Sequence, residues 1–409
     1  MLHYTNINNL FSLIIIMKFA HLADCHVGGW REDKLRELSI KAFEEAIDVC
    51  IKENTAFVLI CGDLFNTSLP NIDIIKRTAQ ALDKLRQNDI SCYIIPGSHD
   101  FSPSGKTMLD VLEKAGLMEN VMKFKDNKLE FTIDKTNTKI TGIFGLKLGL
   151  DRNYYLNLDK ESLANEKGFK IFMFHATLDE FKPKDQELVY GQSYTDLPKN
   201  FNYYAGGHTH IIFNTFKEGY GLIAYPGPLF PNSFKELEEL KFGGFYILDD
   251  KLNIKRINIK LKDVEAFFIN AENKTIDDIE RELKEIKNVE DKIVLIRIEG
   301  TLSSGKTSDI NFKEMFEDYD AYIVLKNTNK LKSLEFEGYE TKHGDIEEVE
   351  QLILKENLSK INTVFNQEEV ARSLMHAMNL EKDEGERNID FETRLIKDVI
   401  KIFDLENVN

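Results

Sequence analysis

Phe57-Val58-Leu59-Ile60-Cys61-Gly62-Asp63-Leu64-Phe65-Asn66 is a bulky run that stops on a glycine and an aspartate. Consecutive apolar residues bounded by turn formers read as a strand buried on both faces. Gly62 allows a tight turn there, which would hold the Asp63 carboxylate at the strand's carboxyl end. Residues 19–23, 93–95, 171–174 and 203–205 have the same short, bulky character. Between the first three strands lie helical patterns: Leu35, Leu38, Phe43, Ala46, Ile47 and Cys50 share a face, as do Ile72, Ile75, Ala79, Leu82 and Leu85. Strand–helix–strand repetition predicts an α/β layered core. Segments 222–225 and 244–248 lie closer together and predict a second, more antiparallel sheet.

The chain has 409 residues, too many for one hydrophobic core. Around Val264 its character changes: strands at 265–270, 293–298 and 321–325 with helices at 276–286 and 311–316 predict a small α+β unit. From Asp345 three helices are expected, at 345–365, 367–378 and 391–403. The expected division is an extension over 1–16, a core over 17–263, an α+β cap over 264–340 and a helical region over 341–409. Met17-Lys18-Phe19 opens the first convincing strand, and the apolar stretch 10–16 is too short for an anchor. No membrane partner is expected. Four cysteines, Cys25, Cys50, Cys61 and Cys92, lack metal-type spacing and read as reduced, buried thiols.

The net charge is −16, and residues 343–409, with 8 Lys+Arg against 16 Asp+Glu, carry half of it. Such a chain does not hold nucleic acid by bulk charge. A phosphate ligand would have to meet a metal, a local basic patch or a partner subunit.

Polar residues cluster where strands end. Asp24-Cys25-His26 follows the first strand, Gly62-Asp63 the second and Gly97-Ser98-His99-Asp100 the third. His175 closes a fourth strand, and Gly207-His208-Thr209-His210 follows a fifth. These places hold 5 of the chain's 9 histidines, His26, His99, His175, His208 and His210. Open α/β sheets bind ligands at the carboxyl ends of their strands, so the stretches can converge on one crevice. Imidazole with carboxylate suits manganese, iron or zinc, and a shared carboxylate suits a pair of ions clamping a phosphoryl group. Asp63 is the natural bridge. His99 has no need to ligate and could protonate a leaving oxygen.

Asp-x-His, Gly-Asp, Gly-x-His, a lone His and Gly-His-x-His, in this order, resemble the signature of calcineurin-like metallophosphoesterases. Within them, residues 21–28, 62–66 and Tyr225-Pro226-Gly227 resemble the double-strand-break repair nucleases of the SbcD and meiotic-recombination-eleven type. The resemblance implies a two-sheet metallophosphoesterase core, a small capping domain, and C-terminal helices that dock on an SbcC-type ATPase. It implies two divalent ions, manganese by expectation: one held by Asp24, His26, Asp63 and His210, the other by Asp63, His175 and His208, with His99 as catalytic imidazole. The family normally has Asn before that His; here it is Ser98, whose shorter hydroxyl would serve the second ion weakly or through water. Some relatives carry a His where this chain has Asn66. A homodimer and a cytoplasmic place on the nucleoid are also expected.

Trp30, Arg31 and Lys34 could form a DNA-tracking edge beside the site, Trp30 by stacking on a base, with Lys147 and Arg152 further along. His343 and His376 have no partner in the pattern. Residues 300–307 match GxxxxGK[ST], but the following strand at 321–325 ends in Lys-Asn, with no acid for magnesium. They read as a connection. The expected activity is metal-dependent cleavage of DNA, exonuclease or endonuclease. The rivals are a small-molecule phosphodiesterase or phosphatase on the same core, and a weakly catalytic repair scaffold.

Overall fold

A computed structural model describes residues 17–101, 107–125, 128–146, 151–182 and 191–334, with residues 391 and 394. The extension over 1–16, Lys147, His343, His376 and the helices expected from 345 onward lie outside the described residues, save those two positions.

The chain begins with β1 (Lys18–Leu22), α1 (Asp33–Lys52), β2 (Phe57–Cys61), α2 (Ile72–Gln87), β3 (Ser91–Ile95) and α3 (Met108–Lys114). Helix α2 starts where the Asn71 side chain accepts the Ile74 N–H, and it buries Ile74, Thr78, Ala81, Leu82 and Leu85 along one face. Five short strands follow: β4 (Glu119–Asn120), β5 (Phe124–Lys125), β6 (Lys128–Leu129), β7 (Thr132–Ile133) and β8 (Lys139–Ile143). Then come α4 (Arg152–Leu156), α5 (Lys160–Asn165), β9 (Lys170–His175), β10 (Tyr203–Gly207), β11 (Ile212–Lys217) and β12 (Gly221–Pro226). Helix α6 (Phe234–Leu240) leads to β13 (Gly243–Asp249) and β14 (Ile254–Ile259).

Two six-stranded sheets result, ordered β14-β13-β1-β2-β3-β4 and β11-β12-β10-β9-β8-β7. Strand residues alternate between layers. Phe57, Leu59 and Cys61 of β2 pack between the sheets against Ile171, Met173, Tyr203 and Ala205. Val58 and Ile60 face the layer under α1 and α2. Both faces are covered, which is why the strands read as continuous apolar runs.

Sheet membership departs from the sequence reading. Residues 171–174 and 203–205 sit in the second sheet, whose inner pairs β8–β9, β9–β10 and β10–β12 are parallel, and only its edges run antiparallel. Residues 244–248 belong to β13, which returns to pair antiparallel with β1 in the first sheet. A long-range pairing decides this, and local pattern does not carry it.

The next unit contains β15 (Val264–Asn270), α7 (Ile276–Glu285), β16 (Ile293–Leu302), α8 (Phe312–Glu317), β17 (Ile323–Asn327) and β18 (Leu331–Ser333). Strands β15, β16 and β17 are parallel neighbours. Val294, Ile296 and Ile298 face this unit's own core, whereas Ile293 and Leu295 join the cluster under α1. Gly300, Thr301 and Leu302 continue β16, so the GxxxxGK[ST] stretch leads into a single 3-10 turn at Thr307–Asp309 instead of a helix N-terminus.

Candidate metal centre

The carboxyl ends of β1, β2 and β3 from one sheet, and of β9 and β10 from the other, open on the same crevice. They bring together Asp24, His26 and His210; His26, Asp63 and His99; and Asp63, His175 and His208, with the potential ligand atoms in each group within 4.8 Å of one another. Asp63 Oδ2 lies 3.2 Å from His175 Nε2 and 3.7 Å from His26 Nε2, so one carboxylate faces both sides of the cluster. Asp24 Oδ1 is 3.8 Å from His210 Nε2. His26 and His210 meet Nε2 to Nε2 at 3.0 Å.

The loops are bent to achieve this. Asp24, His26, Asp63, His208 and His210 all have positive φ, from 41° to 96°. Non-glycine residues occupy that region at a cost, and such strain clusters at functional sites. Close approach is bought with glycine: a Cβ on Gly62 would sit 2.1 Å from His175 Nδ1, and one on Gly97 2.2 Å from Asp63 Oδ1.

Three imidazoles have their outer nitrogen engaged. His175 Nδ1 donates to the Cys61 carbonyl at 2.8 Å, His99 Nδ1 to the Asn66 carbonyl at 2.8 Å, and His210 Nδ1 to Glu236 Oε1 at 2.9 Å. Each bond fixes the ring so that Nε2 turns inward, where its lone pair can meet a metal once that nitrogen has given up any proton. His175 Nε2 is fully buried and lacks a well-formed hydrogen bond, an orphan that a cation would satisfy. The donor set of imidazole and carboxylate fits divalent manganese, iron or zinc.

Burial and charge oppose each other here. Burial alone would lower His175 and His210, but the facing carboxylates raise them to about 10 and about 9. Burial and neighbouring imidazoles press His26 and His208 down to about 3. Burial works to raise Asp63, yet His175 and His26 hold its carboxyl well below the ordinary range. Asp24 is raised, chiefly by burial.

Two positions escaped the sequence reading. Asp100, 2% exposed, accepts N–H bonds from Gly97, Leu64 and Phe65 and so ties the second loop to the third. Burial and the nearby Asp63 push it up to about 7. Its place beside His99 was the available signal. Glu236, the partner of His210, starts α6 within a Ser-x-x-Glu pattern that marks a helix start but not the distant imidazole.

Ser98 is buried. Two residues of the expected DNA edge also bond within the chain. The Trp30 indole N–H donates to the Pro231 carbonyl at 2.8 Å, and Lys34 Nζ donates to the Tyr322 carbonyl at 2.6 Å. The Trp30 ring face is not engaged by the indole bond, and Lys34 and Arg31 are both exposed. Arg152 lines a cavity of about 50 Å³ with His175, His208, Thr177 and Gln192.

Residues 17–211 match the calcineurin-like phosphoesterase family, and the chain carries such a domain. The wider chain is similar to archaeal proteins named DNA double-strand break repair protein Mre11. The one from Methanococcus maripaludis is 28% identical over 373 residues, covering 85% of this chain and 93% of that protein. The one from Methanocaldococcus jannaschii is 28% identical over 377 residues, covering 80% and 99%. Among solved structures, a dimetal phosphatase from Danio rerio aligns with 59% of this chain and 99% of its own, at TM-score 0.39 and 9% identity.

Proposed function

We propose that this chain is a metal-dependent DNA nuclease, the nuclease subunit of a double-strand-break repair complex. The observation that carries the reading is the pair of side-chain groups sharing Asp63, set in a chain similar over most of its length to named break-repair proteins. Bound divalent ions would supply positive charge on the phosphoryl oxygens and an activated water. Asp24, His26 and His210 would hold one ion, His175 and His208 the other, with Asp63 common to both. Ser98, with its shorter hydroxyl, would serve the second ion weakly or through water. His99, oriented by Asn66, would present Nε2 to the leaving oxygen and, as the imidazolium with both nitrogens protonated, protonate it. Asp100 would keep the loops bearing Asp63 and His99 in register.

Manganese is the proposed metal. An SbcC-type ATPase is the proposed partner, docked through the region 341–409, whose acidity suits a protein surface better than DNA. A homodimer is the proposed assembly. No described helix is long and apolar enough to cross a membrane, and the proposed location is the cytoplasm, on the nucleoid. The test is manganese-dependent degradation of linear DNA beside cleavage of bis(p-nitrophenyl) phosphate. Cleavage of both, abolished by chelation, is expected. Cleavage of the chromogenic ester with DNA left intact would favour the small-molecule rival, and cleavage of neither would favour the scaffold.

A further inference from the structure

Helix α6 lies between the metal centre and the sheet of β15, β16 and β17. On the inner side, Glu236 divides its carboxylate: Oε1 takes the His210 Nδ1–H at 2.9 Å, and Oε2 takes the Asn232 N–H at 2.8 Å. Asn232 Nδ2 in turn donates to Asn66 Oδ1 at 3.1 Å, and the Asn66 carbonyl orients His99. One short segment therefore steadies the imidazoles of both His210 and His99.

On the outer side, Arg297 of β16 holds Glu238 with two nitrogens, Nη2 at 2.6 Å and Nε at 2.9 Å, while its guanidinium lies 5.2 Å from the centre of the Phe234 ring. Strand alternation explains why Arg297 points there. It follows Ile293 and Leu295 on the face turned to the core cluster, with Val294 and Ile296 on the other. Two residues apart on a helix, Glu236 and Glu238 point about 200° away from each other, so the centre grips one side of α6 and the cap strand the other.

We propose that Arg297 is a positioning residue for the metal centre: by holding α6 through Glu238 and Phe234 it sets Glu236, and Glu236 sets His210. Any movement of the β15–β17 sheet against α6 then changes the affinity of the ion held with His210 more than that of the ion held with His175 and His208. An ordinary exposed ion pair contributes little. This one is bidentate, stacked on an aromatic ring, and two residues from the carboxylate that orients a ligand.

The inference rests on the proposed metal ligands but not on the substrate, and its test reads metal alone. Manganese is titrated into the full-length protein and the free ion followed by its paramagnetic resonance signal. Arg297→Ala should weaken one binding step about fivefold, the range of coupling carried through packed elements, and leave the other within about twofold. Glu236→Gln should weaken the same step about tenfold or more, as loss of a ligand-orienting partner does. Exchanging the pair, Arg297→Glu with Glu238→Arg, should restore most of it. Arg77→Ala is the control, because Arg77 bridges Glu37 and Glu44 between α1 and α2 away from α6. If Arg297→Ala folds poorly, Glu238→Gln probes the same link. The proposal is overturned if Arg297→Ala and Glu238→Gln leave both steps unchanged, or if Arg77→Ala weakens them equally. Two manganese ions bound with no DNA cut would remove the nuclease reading and leave this link standing. DNA cleavage with binding indifferent to Arg297 would do the reverse.

Discussion

The loops after β1, β2, β3, β9 and β10 and the turn after β16 all follow strands, and both regions carry glycines in phosphate-suited patterns. They differ in where their polar groups are spent. In the core, three imidazoles commit their outer nitrogen to an oxygen and turn the other inward. Across residues 300–306, four backbone N–H groups are already bonded within the chain. Gly300 donates to the Lys330 carbonyl, Thr301 to Glu272, Ser303 to the Lys274 carbonyl and Lys306 to Asp309. A site is a set of groups left unsatisfied in one direction; a motif whose donors are satisfied locally is a turn.

The largest effect belongs to Asp63. Asp63→Ala should abolish both phosphodiester cleavage and most manganese binding, since one carboxylate faces both sides of the cluster. Activity retained by a folded variant, measured on bis(p-nitrophenyl) phosphate, would remove the shared-carboxylate assignment. Next comes His99→Ala, expected to lower turnover about 10²–10⁴-fold while leaving metal stoichiometry intact, the usual loss for a general acid. A missing equivalent of manganese would make His99 a ligand instead, and its grouping with His26 and Asp63 makes that outcome readable.

How much of this was legible follows from what local pattern encodes. Phe57–Cys61 was read to the residue because both of its faces are buried and its end is a glycine. The place of β13 was not, because residues 18 and 249 meet only through a pairing across the whole core. That Asp24, His26, Asp63, His175, His208 and His210 would come together was visible because polar groups at strand ends come with turn residues at fixed offsets. Glu236 and Asn232 were not, because their partners His210 and Asn66 are 26 and 166 residues away. For Trp30 and Lys34 the sequence shows the ring and the charge but not the carbonyls they meet.

Acidity offers a third contrast between the regions. The facing carboxylates raise His175 to about 10 and His210 to about 9, so without a metal both hold a proton more tightly than a free imidazole does. An ion must displace those protons, so affinity rises with pH up to about 10, more shallowly above about 9, and flattens beyond. Calorimetry in buffers of different ionisation enthalpy should show about two protons released per fully loaded chain near pH 7. Uptake of protons, or none exchanged, would contradict the placement of these imidazoles among the ligands.

Ser98→Asn comes next. An amide reaches further than a hydroxyl, and this variant should lower the manganese concentration for half-maximal activity about three- to tenfold, the order expected of a changed ligand environment. An unchanged requirement would mean that position 98 does not meet the second ion.

The smallest effect tests the other half of the comparison. Lys306 occupies the lysine position of GxxxxGK[ST], and a working phosphate loop depends on that ammonium and on free N–H groups behind it. Here Lys306 N–H is bonded to Asp309 Oδ2 at 3.0 Å, and the Thr301 N–H to Glu272 Oε2 at 2.9 Å, so carboxylates stand where a nucleotide's phosphates would. A bound anion would have to displace both and then face their charge. Magnesium nucleotides at millimolar concentration should therefore leave the melting temperature unchanged, and Lys306→Ala should alter cleavage less than about twofold and stability by no more than about 0.5 kcal/mol, as surface substitutions do. A nucleotide-dependent rise in melting temperature that Lys306→Ala removes would show that the turn opens to accept phosphate, and the distinction between unsatisfied and satisfied donors would have to be redrawn.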